Sequence, residues 1–534
     1  MLHDADRRPK LVLGSFGLIG LALFVAGPFA ALLGFAGALP DLGAIVGDGY
    51  LRGVVAFTLE QAVLSALLAV TGAIPLALAL HRFRFPGRAL VLRLFLLPQA
   101  LPVLVGALGI VAVWGRAGVV SDGLAALGLS RLDVYGLSGI LLAHVFFNMP
   151  LATRLIFAAL DAVPAESWKL AGQLSLGSRA TFRLVEGPAV RRALPGAASL
   201  VFMLCITSFT LVLVLGGGPG ATTLEVAIFQ ALRYDFDPGR AVLLAVVQIA
   251  LTGLVLVAVL RLGGGLDGAV TLGRTAVRFD RPSRWQKGAG LGVIMLGLGF
   301  IAAPFLAVLV RGLRADLWSL MGDPLLQQAM LTSIAVSIGA ATLSLLLSMA
   351  LLSGASALRS ATGPLRPQRG LFDLSGSLVL VIPPIVLGAG WFLVLRQMTD
   401  VFAVAPVMVL ATNAVMAMPF VIRIVGPALA QSALQHDRLA ASLGLAGWQR
   451  LRHVEWPAVR APLGLGFAFA MALSLGDLGV AALFGNQDFI TLPLLLQQRM
   501  GSYRSTDAAG IALILGALSL ALMAIAERGF RRTT

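Results

Sequence analysis

The side chains able to do chemistry are few in this chain, and they do not gather. Five histidines (His3, His81, His144, His436 and His453) are scattered, and the single cysteine, Cys205, lies in an apolar run. No His or Cys residues share a metal-ligand spacing, so no structural zinc is expected. One cysteine also leaves no disulfide within a chain. No nucleophile stands near a base in a pattern that would support an enzyme. A Gly-x-x-x-x-Gly-Lys-Ser/Thr loop is absent from all 534 residues, so the chain carries no P-loop of its own and no cofactor is expected in it. What remains is an acid in an unusual place. Asp477, in Gly476-Asp477-Leu478-Gly479, interrupts an apolar stretch. A charge at the centre of a membrane span costs about 2.5–3.5 kcal/mol on insertion scales. Such a carboxylate either faces a transport path or is hydrogen-bonded within a helix bundle to fix its packing. Glu60 and Asp373 fall near the ends of apolar runs, where headgroups can solvate them.

The elements that must position these residues follow from composition. Hydrophobic residues make up 58% of the chain and charged ones only 12%, against about 25% charged in a soluble domain. Mean hydropathy is +0.92. Most of the chain therefore cannot face water. The net charge of +15 does not point to nucleic acid, because the basic residues form short runs between apolar stretches. About twenty apolar residues span a bilayer as a helix. Such runs predict twelve spans: roughly 11–36, 54–80, 94–115, 137–160, 194–215 and 241–261, then 288–310, 329–355, 374–395, 402–425, 462–484 and 508–526. The first is too long for a signal peptide and reads as an uncleaved span. Arg7, Arg8, Lys10, Arg82, Arg84, Arg88, Lys169, Arg179, Arg183, Arg274, Arg278 and Arg528 all fall on one side of this topology. The positive-inside rule makes that side cytoplasmic, with both termini.

The chain repeats itself. Met149-Pro150 matches Met418-Pro419, Arg154 matches Arg423, Val185-Glu186-Gly187-Pro188 matches Val454-Glu455-Trp456-Pro457, and Gly216 matches Gly485, each at an offset of 269. Pro102-x-x-x-Gly106 resembles Pro384-x-x-x-Gly388 at 282, the difference being a longer external loop at about 116–136. Six spans per half give both halves one orientation, so the repeat is parallel and a pathway is expected at its interface. Expected divisions are a first repeat over 1–262, a cytoplasmic linker over 263–287 containing Gly263-Gly264-Gly265, and a second repeat over 288–534. Asp477 has Ser208 as its mate at the same offset of 269, and the two are the candidate pathway residues.

Two long cytoplasmic loops carry the most information. One runs Lys169-Leu-Ala171-Gly-Gln-Leu-Ser175, then nine residues to Val185, then Glu186-Gly-Pro188; the other runs Arg438-Leu-Ala440-Ala-Ser-Leu-Gly444, nine residues to Val454, then Glu455-Trp-Pro457. A short amphipathic helix, a break and a second helix would form a rigid knob that docks in a groove on a partner. Glycine at the break permits a positive φ at little cost. Glu186 and Glu455 either contact that partner or pair with nearby Arg192 and Arg452.

These loops resemble the EAA loop of permeases in binding-protein-dependent ABC importers: Glu-Ala-Ala, three residues, Gly, nine residues, an aliphatic residue, one residue, an aliphatic residue and Pro. Lys169 and Arg438 replace the Glu, Leu170 and Leu439 the first small residue, and Ser175 the first Gly. Further stretches resemble the thiamine permeases of Gram-negative bacteria, which are fused two-half proteins. They include Arg84-Phe-Pro-Gly-Arg88, Gly139-Ile-Leu-Leu-Ala-His-Val-Phe-Phe-Asn148, Leu215-Gly-Gly-Gly-Pro219, Ala482-Leu-Phe-Gly-Asn486 and Gly501-Ser-Tyr-Arg-Ser505. The resemblance implies an all-α integral membrane fold like that of type I ABC importer permeases. It implies import of thiamine, and of its phosphates, from periplasm to cytoplasm across the bacterial inner membrane. The implied partners are two copies of a cytoplasmic ABC ATPase that binds the ATP, a periplasmic thiamine-binding protein and the lipid bilayer. On this resemblance the Asp477 carboxylate would sit near the path of a cationic thiazolium ring. The external segments 216–240 and 485–507, with Tyr234, Asp237, Tyr503 and Arg504, would meet the binding protein. Ferric-iron permeases share the duplicated layout. A secondary transporter could also use twelve spans in parallel halves, but it would leave the two loops unexplained.

Overall fold

Each half begins its second span the same way, with an aspartate in non-helical conformation that caps the helix it precedes. Asp48 Oδ1 accepts from the Tyr50 amide at 2.8 Å, and Asp323 Oδ1 from the Leu325 amide at 2.9 Å. These are N-caps, which satisfy amides that the first helical turn leaves open. The computed structural model describes residues 4–35, 47–261, 284–358, 370–372, 375–376, 379, 382–502 and 504–531. The expected linker falls almost wholly outside these residues, as do Tyr503 and Asp373.

In the first half the principal helices are α1 (Asp4–Phe35), α2 (Gly49–Arg82), α3 (Val103–Trp114), α4 (Leu137–Asp161), α5 (Ala165–Gln173), α6 (Gly187–Ile206), α7 (Leu224–Arg233) and α8 (Pro238–Arg261). In the second they are α9 (Arg284–Leu313), α10 (Pro324–Ala357), α11 (Pro384–Met398), α12 (Ala405–Ser442), α13 (Trp456–Leu475), α14 (Leu492–Gly501) and α15 (Ser505–Arg531). Among the described residues, eleven helical stretches are long and apolar enough to cross a membrane. The position of the ninth expected span is held by α11, a shorter apolar helix. The third expected span is also shorter than the apolar run 94–115: Pro98 and Pro102 break its first part into short turns, and α3 begins at Val103.

The repeat is visible helix by helix. Helices α6 and α13 coincide at both ends at an offset of 269. One departure has a plain cause. Helix α12 runs unbroken to Ser442, whereas its equivalent stops at Asp161 and restarts as α5, because Pro164 stands where the second half has Ala433.

The first spans are exchanged. Helix α1 packs on α10 and α11 of the second half, while α9 packs on α2 and α3 of the first as well as on α15 of its own. Glycines permit the close approach. A Cβ on Gly390 of α11 would stand 2.5 Å from Pro28 Cβ of α1, and one on Gly109 of α3 would stand 2.6 Å from the Pro304 carbonyl oxygen of α9. The Trp391 indole of α11 also donates to the Phe24 carbonyl of α1 at 2.9 Å.

Candidate functional site

The two loops singled out in the sequence form the same object twice. Helix α5 ends with Leu176 N–H donating to Ala171 O at 3.0 Å and Ser175 N–H to Gly172 O at 3.0 Å. Helix α12 ends with Leu445 N–H donating to Ala440 O at 2.9 Å and Gly444 N–H to Ala441 O at 3.2 Å. This pair of bonds closes a helix end when the residue after the cap is left-handed. Both residues are: φ is +49° at Ser175 and +66° at Gly444. The serine thus adopts the glycine's conformation, so the turn is kept between the halves although the residue is not.

The chain then re-enters helix. Gly187 N–H bonds back to Phe182 O, and Trp456 N–H to Leu451 O, each five residues earlier, so each re-entry contains one wide π turn. The prolines explain the wide turn. Pro188 and Pro457 carry no N–H, and in a regular α-helix their rings would strike the carbonyl four residues back. Widening the helix just before them relieves that clash.

Within the knobs, Ala171 and Ala440 face inward and are buried, while Lys169, Ser175, Arg438, Gly444 and Pro457 are exposed and Pro188 is half-buried. The outer surface of each also carries a leucine pair at i, i+4: Leu170 and Leu174 are 55% and 62% exposed, Leu439 and Leu443 58% and 64%. In the sequence two of these leucines stand out only as departures from a pattern. Their repetition at matching positions of the two loops is the signal that marks them.

The two glutamates look inward. Glu186 is wholly buried and bridged by Arg82 at the end of α2, with Nε donating at 3.0 Å. Glu455 pairs with Lys10 of α1 and accepts from Arg450 Nε at 3.1 Å, and Arg450 also reaches Asp437 at 2.6 Å. Of the two alternatives left open by the sequence, pairing with Arg192 and Arg452 is not seen among the described residues; the cations come from α1, α2 and the loop itself. The glutamates fasten the knobs to the bundle and leave the leucines outside. The exchanged spans reach the knobs as well. Asp6 of α1 accepts from the Gly447 amide at 2.5 Å, and Gln286 of α9 accepts from the Ser178 hydroxyl at 3.1 Å.

At the repeat interface both expected spans 194–215 and 462–484 are broken. Helix α6 stops at Ile206 and a short helix resumes at Thr210; α13 stops at Leu475 and another resumes at Gly479. Ser208 and Asp477 occupy the two breaks at equivalent positions, and both are partly accessible. Asp477 Oδ1 accepts from the Gly479 amide at 3.2 Å. The second break faces the first half: a Cβ on Gly476 would stand 3.0 Å from Pro102 Cα, and one on Gly479 3.5 Å from Phe209 Cδ1. Of the helix-lining polar residues, His144 bonds Ser65 at 2.8 Å, Asn148 reaches Cys205 Sγ at 3.4 Å, and Asn413 donates to Ser474 Oγ at 3.0 Å.

On the opposite side, Tyr234, Asp237 and Arg504 are exposed. Asp237 also accepts from the Arg240 amide at 3.0 Å, at the start of α8. Two residues here escape a reading of the sequence. Phe236 is 74% exposed in the left-handed region, with φ at +52°. Glu225, in the first turn of α7, is buried with neither carboxylate oxygen partnered among the described residues. Arg233 ties this segment to the second half, donating to the Gly485 carbonyl at 2.8 Å.

Comparison with known proteins agrees with this architecture. Residues 69–265 and 352–533 each match the family model described as binding-protein-dependent transport system inner membrane component. The chain is 50% identical over 526 residues to the thiamine transport system permease protein ThiP of Brucella abortus, covering 98% of this chain and 96% of that one. It is 43% identical to ThiP of Escherichia coli, covering 98% of each, and 36% identical to ThiP of Haemophilus influenzae, covering 96% of each. With two matched copies of the domain in tandem and relatives aligned along almost the whole length, this chain belongs to the inner membrane components of binding-protein-dependent transport systems, and is a multi-pass transport subunit of the inner membrane.

Proposed function

We propose that this chain is the thiamine permease of an ATP-driven importer, moving thiamine and its phosphates from periplasm to cytoplasm. The observation that carries the substrate is the likeness to thiamine permeases at 50% and 43% identity over nearly the full length of both chains. The duplicated knobs support the mechanism. Two copies of a cytoplasmic ATPase each receive one knob, gripping the leucine pairs at Leu170 and Leu174 and at Leu439 and Leu443. Lys169 and Arg438 flank these grips, while Ala171, Ala440, Glu186, Glu455, Pro188 and Pro457 hold each knob rigid. Motion of the ATPase pair then moves the two halves as bodies about their interface. The breaks at Ser208 and Asp477 line the path between them, where backbone outside regular helix is tolerated only if it is buried in protein or lines a cavity. Both termini lie in the cytoplasm, with the knobs. On the periplasmic face Tyr234, Phe236, Asp237, Tyr503 and Arg504 receive the loaded binding protein. Repeat boundaries near 262 and 288 fit this arrangement.

The test is uptake of labelled thiamine in cells lacking only this gene, with and without a plasmid copy, beside ferric iron as control. Thiamine uptake lost and restored, with iron uptake unchanged, is the expected result. Unaffected thiamine uptake would overturn the substrate.

A further inference from the structure

The two halves share a fold but not its buried polarity, and the difference is concentrated at one place. In each half a hydroxyl of the second span accepts from the first amide of the external helix: Thr58 from Leu224 at 3.0 Å and Ser333 from Leu492 at 2.8 Å. This fixes the correspondence of the surroundings. One turn beyond Thr58 lies Gln61, where the second half has Val336. Beside Leu224 lies Glu225, where the second half has Pro493. Helix α8, which folds back on α7, carries Gln248 where α15 has Leu515, taking Ala241 and Ala508 as equivalent first turns. Val336, Pro493 and Leu515 are all buried. The fold at this place therefore forms without Gln61, Gln248 or Glu225, whereas Thr223 keeps a polar mate in Thr491, which is buried with its Oγ1 likewise unpartnered among the described residues.

In the first half Gln61, Gln248, Thr223 and Glu225 are each at most 1% exposed. The two glutamines are aimed alike. Gln61 Nε2 donates to Cys205 O at 3.0 Å and Gln248 Nε2 to Ile206 O at 3.4 Å, adjacent carbonyls at the end of α6. With the amide nitrogens so engaged, neither Oε1 atom has a partner among the described residues. Thr223 Oγ1 and both oxygens of Glu225 also lack one there. Packing of α7 along α8 sets the first turn of α7 at the level of Gln248, and Thr58 sets it beside Gln61. Five oxygens without such partners thus belong to four residues grouped near the last turn of α6, whose carbonyl end carries partial negative charge.

We propose that this cluster is a binding site for a monovalent alkali cation of sodium size, held by Glu225, Gln61, Gln248 and Thr223. The chemistry selects the ligand. An all-oxygen set suits a hard cation. A single carboxylate balances one positive charge, and a divalent ion would leave a net charge buried in an apolar shell, which is unfavourable. The site fastens the external helix pair α7 and α8 to the first half only, making that half the stiffer of the two on the periplasmic side.

The test uses the purified full-length chain in lipid nanodiscs. Thermal unfolding is followed as sodium chloride replaces choline chloride at constant ionic strength, with lithium and potassium chloride in parallel, and radioactive sodium binding is measured directly. A ligand that binds only the folded state raises the unfolding temperature saturably. Wild type is expected to show that rise and one bound sodium. Glu225→Gln is expected to lose both. Gln61→Val with Gln248→Leu, side chains the second half itself carries at these places, guards against a failure to fold and is expected to weaken sodium at least about tenfold. An unfolding temperature indifferent to all three cations in wild type, as a protonated Glu225 or a buried water would give, overturns the proposal. So does a sodium response that survives in Glu225→Gln.

Discussion

Substituting the two left-handed residues of the knobs tests whether the turn itself transmits force. In Gly444→Ala the added Cβ meets no atom within 4 Å, so crowding contributes nothing and the cost is that of the backbone alone. A side-chain-bearing residue in the left-handed region costs about 1–2 kcal/mol, partly offset by the freedom that glycine loses on ordering, about 0.5–1 kcal/mol. A net loss of about 1 kcal/mol makes opening of the turn roughly fivefold more frequent. The reporter is the Leu445 amide, whose bond to Ala440 O closes the turn. Its hydrogen exchange is expected to quicken about fivefold if it proceeds through this opening. The reverse change, Ser175→Gly, relieves the strain at the cost of added freedom in the open state, a net gain of about 1 kcal/mol, so exchange of the Leu176 amide is expected to slow about fivefold. Gly444→Pro is more severe. Proline holds φ near −65°, and it removes the N–H that bonds Ala441 O, at a cost of about 3 kcal/mol or more. This variant is expected to insert normally and to lose uptake. Unchanged Leu445 protection in Gly444→Ala, or normal uptake in Gly444→Pro, would refute the knob as a rigid coupling element.

Other consequences are open to measurement. Arg82→Ala removes one partner of a buried pair with Glu186, which costs about 3–5 kcal/mol; a lowered unfolding temperature is expected, recovered in part by adding Glu186→Gln. Gly390→Val drives a side chain into Pro28 of the exchanged span and should destabilise by about 1–3 kcal/mol. Gly299→Ala, where an added Cβ meets nothing within 4 Å, should be neutral or stabilising by up to about 1 kcal/mol, and equal effects from the two would count against the close α1–α11 packing. Leu170→Asp with Leu439→Asp puts charge on both exposed leucine pairs. This double variant should no longer copurify with the proposed ATPase, and normal copurification would move the docking surface elsewhere.

The spans and the repeat were legible because they rest on properties that sequence carries directly: length of apolar run, position of charge and constant offset. The broken helices were not. From Met203 to Leu215 hydropathy hardly dips, because Thr207 and Ser208 are small and only mildly polar, and from Met471 to Phe484 the dip at Asp477 reads as a lone acid within a span rather than as a break in the helix. The turn at Ser175 was legible only through its mate Gly444, since serine on its own does not announce a positive φ. Pairing of Glu186 with Arg82, across 104 residues, was out of reach. Local reasoning offers the cations nearest in sequence, and here the bundle supplies another. Exchange of the first spans left no trace in hydropathy at all, because an apolar helix surface does not say which neighbour it will meet. Glu225 reads in sequence as one acid in an external segment; what marks it is the contrast with Pro493, which becomes visible once the halves are superimposed.

That exchange also has a consequence in time. When α9 leaves the ribosome, two of its partners, α2 and α3, are already in the membrane, and only α15 is still to come. Helix α1 is less favourably placed, for α10 and α11 are encoded some 300 residues later. At about 5–20 residues per second of synthesis, α1 waits roughly 15–60 seconds in the bilayer before its docking surface exists. During that interval the small-residue face around Gly14, Gly17 and Pro28 is exposed to lipid and to any other nascent span nearby. Carrying both halves on one chain keeps the waiting helix tethered to the surface it fits.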